Sequence, residues 1–156
     1  MQTLLPYPSF YVSALVLDRA RLGKQRVEAR QLYDNLVGEK DQPWIKRHPA
    51  FKMWVGYTDS LSVYHDVMIG VWIYKGHVNN MPKISIAAPW NRVDPPWLGD
   101  PAFHASHRSN LLRKDPKHYS KFGWSEPDNL EYVWPTKQKE PERCTLLHNY
   151  LKMPWN

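Results

Sequence analysis

From Leu17 to Leu32 the chain repeats its apolar residues at helical spacing, and that repeat commits this stretch to an amphipathic helix. A step of about 100° per residue places Leu15, Leu22, Ala29, Tyr33 and Leu36 on one stripe. The same step gathers Arg21, Lys24, Glu28 and Gln31 on the other side. Arg19, Arg26 and Arg30 add further positive charge, and Glu28 is the carboxylate among them. An amine, a carboxylate and a guanidinium sharing one exposed surface are equipped to bind an anionic polymer and to do acid–base or amine chemistry on it. The plainer explanation is a solvated face in which Lys24 and Glu28 form an i,i+4 pair. Lys precedes Glu here, the less favourable order relative to the helix dipole, so helix stability explains the pair weakly.

The expected first helix runs from Phe10 or Ser13 to Val37, with Gly38 as its stop. Gly23 in its middle costs roughly 1 kcal/mol relative to Ala and marks either a kink or a close approach of another backbone. A second helix is expected over Ala50 to Lys75, ended by Gly76. Residues 77–99 hold Pro82, Pro89, Pro95 and Pro96 and read as irregular, with a strand-like piece at Ile84–Ala87. Asp100-Pro101 is a helix start, with Asp as N-cap and Pro at the first helical position, and Pro116 is its stop. The fold class is therefore mainly α. We expect one domain over residues 1–156, about three long helices with long Pro- and aromatic-rich loops, and an irregular tail over 125–156 wrapping the helices.

Fourteen Pro against seven Gly imply stiff connecting segments, and eight Trp with nine Tyr make the chain aromatic-rich. The formal charge of +6 favours an anionic partner. No run of 18 apolar residues is present, so no membrane contact is expected. The lone Cys144 excludes an internal disulfide and a cysteine-based zinc site, and no motif around it marks a nucleophile. No phosphate-cradling glycine loop occurs, which argues against nucleotide triphosphate chemistry. A cytoplasmic monomer without cofactor fits these features.

The histidines invite a metal reading. His104 and His107 sit three apart on one helix, while His65, His77, His118 and His148 are scattered. No His-Glu-x-x-His or paired Cys supports a metal, which leaves surface or phosphate-contacting histidines. From His104 to Lys121, cations (Arg108, Arg113, Lys114, Lys117, Lys121) interleave with Tyr119, and Phe122 and Trp124 follow. Cations neutralise phosphates and flat rings stack on bases. The alternative is a helix end with aromatic anchors tucked into the core, and the sequence leaves both open.

The order of these segments resembles the pyrimidine-dimer DNA glycosylase and abasic-site lyase family. LGKQRVEARQL (Leu22–Leu32) occupies the place of that family's catalytic helix. HPAFKMWVGY (His48–Tyr57), with the helix ending Tyr74-Lys75-Gly76-His77, is similar to its second helix. FHASHRSNLLRKDPKHYSKFG (Phe103–Gly123) is similar to its last helix and aromatic loop. The resemblance implies an N-terminal α-amine that attacks the sugar C1′, a helical Glu that assists, and arginines that hold a kinked duplex. An α-amine titrates near 8, so much of it is nucleophilic at physiological pH. A carboxylate beside C1′ stabilises developing positive charge and moves protons.

Two departures shape what carries over. Gln2 is not small and disfavours Met removal, which leaves the amine on Met1. Lys24 falls near the place of the family's catalytic acid, with Glu28 one turn further. Two versions follow: Met1 as amine with Glu28 as carboxylate, or Lys24 as nucleophile with its pKa lowered by Arg21 and desolvation. By the same match Arg21, Arg26 and Arg108 take phosphates, with Arg113, Lys114, His104 and His107 as further DNA contacts. The expectation is a DNA N-glycosylase, with or without an abasic-site lyase step. It would bend double-stranded DNA and displace a damaged or modified pyrimidine. The alternatives are a non-catalytic DNA-binding protein on the same scaffold and a protein-interaction module with an aromatic surface.

Overall fold

The computed structural model of the chain describes residues 1–135. Seven α-helices account for most of the regular structure there, and no strand occurs among the described residues. The helices are α1 (Phe10–Val16), α2 (Arg19–Leu36), α3 (Pro43–Arg47), α4 (Pro49–Lys52), α5 (Thr58–Tyr74), α6 (Pro101–Lys114) and α7 (Pro116–Tyr119). Short 3-10 turns at Pro89–Asn91 and Ser120–Phe122 complete the set. The mainly α reading holds, and α2, α5 and α6 are the three long helices.

Helices α2 and α5 form the principal pair, and α1 packs on α5. Their contact explains Gly23. A Cβ there would lie 3.1 Å from Cζ3 of the Trp72 indole, so the α5 ring needs a residue without a side chain. The close approach is therefore to a ring rather than a backbone, and α2 runs through Gly23 without interruption. Leu22, Ala29 and Leu32 are fully buried on the core side of α2. They pack with Leu61, Tyr64, Met68 and Trp72 of α5 and with Trp54, Trp97 and Phe103 in one continuous cluster.

The expected first helix is two. Leu17 is extended, and the Asp18 side chain accepts the Arg21 N–H to start α2. The Lys75 ammonium on α5 donates to the carbonyls of Leu15 and Leu17 and so closes the end of α1. The expected second helix is also divided. Gly56 at φ +85° turns the chain between α4 and α5. Gly38 and Gly76 stop α2 and α5 at positive φ, as their positions imply. Asp100 caps α6 as expected. The strand-like piece at Ile84–Ala87 is instead a loop anchored on α5, where the Asp66 carboxylate accepts the backbone N–H groups of Ile84 and Ser85.

The loop after α6 turns its rings inward. Tyr119 is fully buried and stacks on Trp124, which stacks on Phe122. These rings are the core anchors of the second alternative rather than a platform for bases. Residues 125–135 run irregularly along α6, held by Ser106, Ser109 and Asn110. Cys144, His148 and the rest of the expected tail lie outside the described residues.

Candidate active site

The first six residues are extended, and side chains from three long helices hold their backbone. Gln25 of α2 does most at the start: its Oε1 accepts the Leu4 N–H at 2.8 Å and its Nε2 donates to the Gln2 carbonyl at 3.0 Å. The buried Tyr64 hydroxyl of α5 donates to Gln25 Oε1 at 2.5 Å, with the Leu4 carbonyl as a second acceptor within reach at 3.0 Å. The Trp54 indole N–H donates to the Thr3 hydroxyl oxygen. On α6, His107 Nδ1 accepts the Leu5 N–H and His104 Nδ1 donates to the Leu5 carbonyl. Arg108 donates to the Pro6 carbonyl. Each of these bonds replaces water around a buried peptide group that would otherwise be costly.

The result is that the chain's first nitrogen ends beside Glu28. The Met1 α-ammonium lies 3.9 Å from Glu28 Oε1, and the Lys24 ammonium lies 3.5 Å from the same oxygen. Glu28 Oε2 accepts from the Gln2 N–H and from Gln25 Nε2, each at 3.3 Å. Glu28 is only 8% exposed, whereas the Lys24 side chain is 70% exposed. The face expected to be solvated is therefore divided: Glu28, beside the buried Gln25, lies within the site and Lys24 stands at its rim. A cleft of about 440 Å³ opens over them, lined by Met1, Gln2, Arg21, Lys24, Glu28 and Lys114 among others. Its charged lining is one carboxylate among four cationic groups, a setting for a polyanion.

Arg21 is fixed at this cleft from behind. Its guanidinium donates to Asp18 at 3.0 Å, and the buried Tyr119 hydroxyl donates to the same carboxylate. Burial opposes ionisation of Asp18, yet the Tyr119 and Arg21 hydrogen bonds hold its carboxyl below the usual range. Lys114 sits in the last turn of α6 and donates to the Tyr132 hydroxyl at 3.2 Å. Burial first, then the charges of Arg21, Lys24 and Arg113, push it below the ordinary lysine value, and Glu28 opposes them. His48 is also lowered, by burial and by the charge of the α-ammonium.

Five expected DNA contacts are placed elsewhere. His104 and His107 are buried and spend their Nδ1 atoms on Leu5 of the N-terminal segment, so neither presents an edge to a phosphate. His104 Nε2 also accepts the Gly99 N–H, and His107 Nε2 has no partner among the described residues. Burial lowers both, His107 to about 3, and both rings are neutral at neutral pH. Arg108 is neutralised by Glu126 at 2.5 Å and lies over the Tyr7 ring. Arg26 lies 4.1 Å over the Trp72 ring and donates to Asn79 at 2.6 Å, outside the cleft lining. Arg113 is exposed and bonded to Asn110 and the Asp128 carbonyl. The described residues contain no group of three His, Cys, Asp or Glu able to hold a metal ion, and none of their helices is long and apolar enough to cross a membrane.

Sequence reasoning missed Gln25, Tyr64 and Asp18. Gln25 and Tyr64 carried no signal beyond helical spacing, because a buried amide is recognised only by its partners. Asp18 did carry one, as a capping residue ahead of an amphipathic run.

The helical scaffold thus holds a terminal amine against a buried glutamate in a cleft lined by cations. Residues 1–85, over half of the chain, match the family model described as pyrimidine dimer DNA glycosylase, and the chain belongs to that family. Membership makes it a DNA glycosylase, with DNA as its substrate. No curated protein and no solved structure matches the chain.

Proposed function

We propose that the protein removes a damaged pyrimidine from duplex DNA through its Met1 α-amine and then cleaves the strand as an abasic-site lyase. The observation that carries this reading is the pairing of a buried glutamate with the α-ammonium at 3.9 Å inside a cation-lined cleft. The neutral amine attacks C1′ and the C1′–N1 bond breaks with its electron pair going to the base. Glu28 stabilises the developing sugar cation and accepts a proton from the amine. Opening of the sugar ring gives an imine, loss of the C2′ proton follows, and β-elimination expels the 3′ phosphate. Arg21 and Lys24 neutralise backbone phosphates around the reacting sugar.

Two features favour Met1 over Lys24 as the nucleophile. The segment behind Met1 is tied residue by residue, which holds the amine in place before substrate arrives. Lys24 is a long side chain at the rim, 70% exposed. The test is borohydride trapping on duplex DNA carrying an abasic site, with mass mapping of the cross-linked peptide. Trapping at residue 1, kept in Lys24→Ala and lost when one glycine is added before Met1, is the expected result. Trapping at Lys24 transfers the role to that residue. DNA binding without any adduct reduces the protein to a binder on this scaffold.

A further inference from the structure

The reading above accounts for the nucleophile and for the group that takes its proton, but a departing pyrimidine also needs a proton. Glu28 lies on the amine's side of the reaction and is committed to it. Of the cations that line the cleft, Arg21 is bound to Asp18 and a guanidinium does not give up a proton. Lys24 is paired with Glu28. Lys114 differs in both origin and partners. It comes from α6 rather than α2, and no carboxylate among the described residues is within ion-pair distance of it. Its ammonium is held by a neutral phenol instead, donating to the Tyr132 hydroxyl at 3.2 Å and lying 5.7 Å from that ring. The Tyr132 ring is in turn set between His107 and Trp134.

We propose that Lys114, held over the cleft by Tyr132, donates the proton that the pyrimidine takes up as its bond to C1′ breaks. This rests on the function proposed above. In the step, Lys114 loses a proton to the base, the α-amine forms its bond to C1′, and Glu28 gains the proton that the amine sheds. The lowered proton affinity that burial and neighbouring cations give Lys114 suits a group that must release a proton near neutral pH.

The experiment compares two single-turnover rates in Lys114→Arg and Lys114→Met. One is base release from a duplex with a single thymine–thymine cyclobutane dimer, scored as free thymine after photoreversal, because the detached base otherwise stays joined to its partner thymine. The other is strand cleavage at a preformed abasic site, which has no base to protonate. Dissociation constants for both duplexes are measured alongside. Arginine keeps the charge and cannot donate, so base release falls on the order of 100-fold in both variants. The ratio of base release to abasic cleavage falls at least about tenfold. Base release restored by arginine shows that only charge matters and overturns the assignment. Equal losses in both reactions, matched by weaker binding, make Lys114 a phosphate contact and overturn it too. An unaltered protein that neither releases a base nor is trapped on abasic DNA removes the function itself, which is a distinct failure.

Discussion

Helices α2 and α6 carry similar polar residues and use them in opposite ways. The polar side of α2 turns Arg21, Lys24 and Glu28 toward a cleft. The polar side of α6 turns His104, His107 and Arg108 toward the chain's own first six residues. One helix faces the cleft, and the other chiefly holds the segment that places an amine at it. The difference teaches that a run of cations and imidazoles does not itself mark a binding face, because a buried partner within the chain satisfies the same groups equally well.

The contrast breaks most sharply at Glu28. Glu28→Gln keeps the size and loses the charge, so single-turnover base release should fall by about 10² to 10⁴-fold while DNA affinity changes less than about threefold. A large affinity loss with turnover kept would move Glu28 out of the chemistry. On α6 the largest effect is on stability. His107→Ala removes a buried ring and leaves the Leu5 N–H unpaired, a loss on the order of 3 kcal/mol in denaturant unfolding. A normal midpoint would contradict its role as an anchor.

The same histidine gives a pH dependence. Its folded pKa of about 3 lies below the ordinary 6.5, so the unfolded chain binds the extra proton. Its contribution is complete above pH 6.5 and fades as pH falls toward 3, by on the order of 2–3 kcal/mol at pH 4.5. Unfolding midpoints of the wild type and of His107→Ala across that range isolate this share, which a parallel pair of curves would refute. The arginines sharpen the comparison more finely. Arg21→Ala should lower the slope of log affinity against log salt by about one, whereas Arg108→Ala should lower the melting temperature and leave the slope alone. Gly23→Ala has the smallest expected cost, roughly 1–2 kcal/mol, since its added methyl meets the Trp72 ring while its helix propensity improves.

The three long helices, with the glycine stops of α2 and α5, were legible because periodicity and left-handed glycines are local signals. The break at Asp18 was equally local and was overridden by a periodicity that continues across it. Glu28 was legible from its isolation among cations. Its burial was not, because that depends on Gln25, Tyr64 and residues 1–6 meeting across a sequence separation of many tens of residues. The same limit hid the work of His104 and His107, whose partner Leu5 lies about a hundred residues away.

Gln25 has both ends of its amide in use, one toward Leu4 and Tyr64 and the other toward Gln2 and Glu28. Peeling the opening segment off the helices therefore strips the glutamate of its hydrogen bond from the Gln2 N–H and carries the amine away at the same moment. A copy that has begun to unravel keeps Arg21 and Lys24 on α2 but no longer holds an amine beside Glu28.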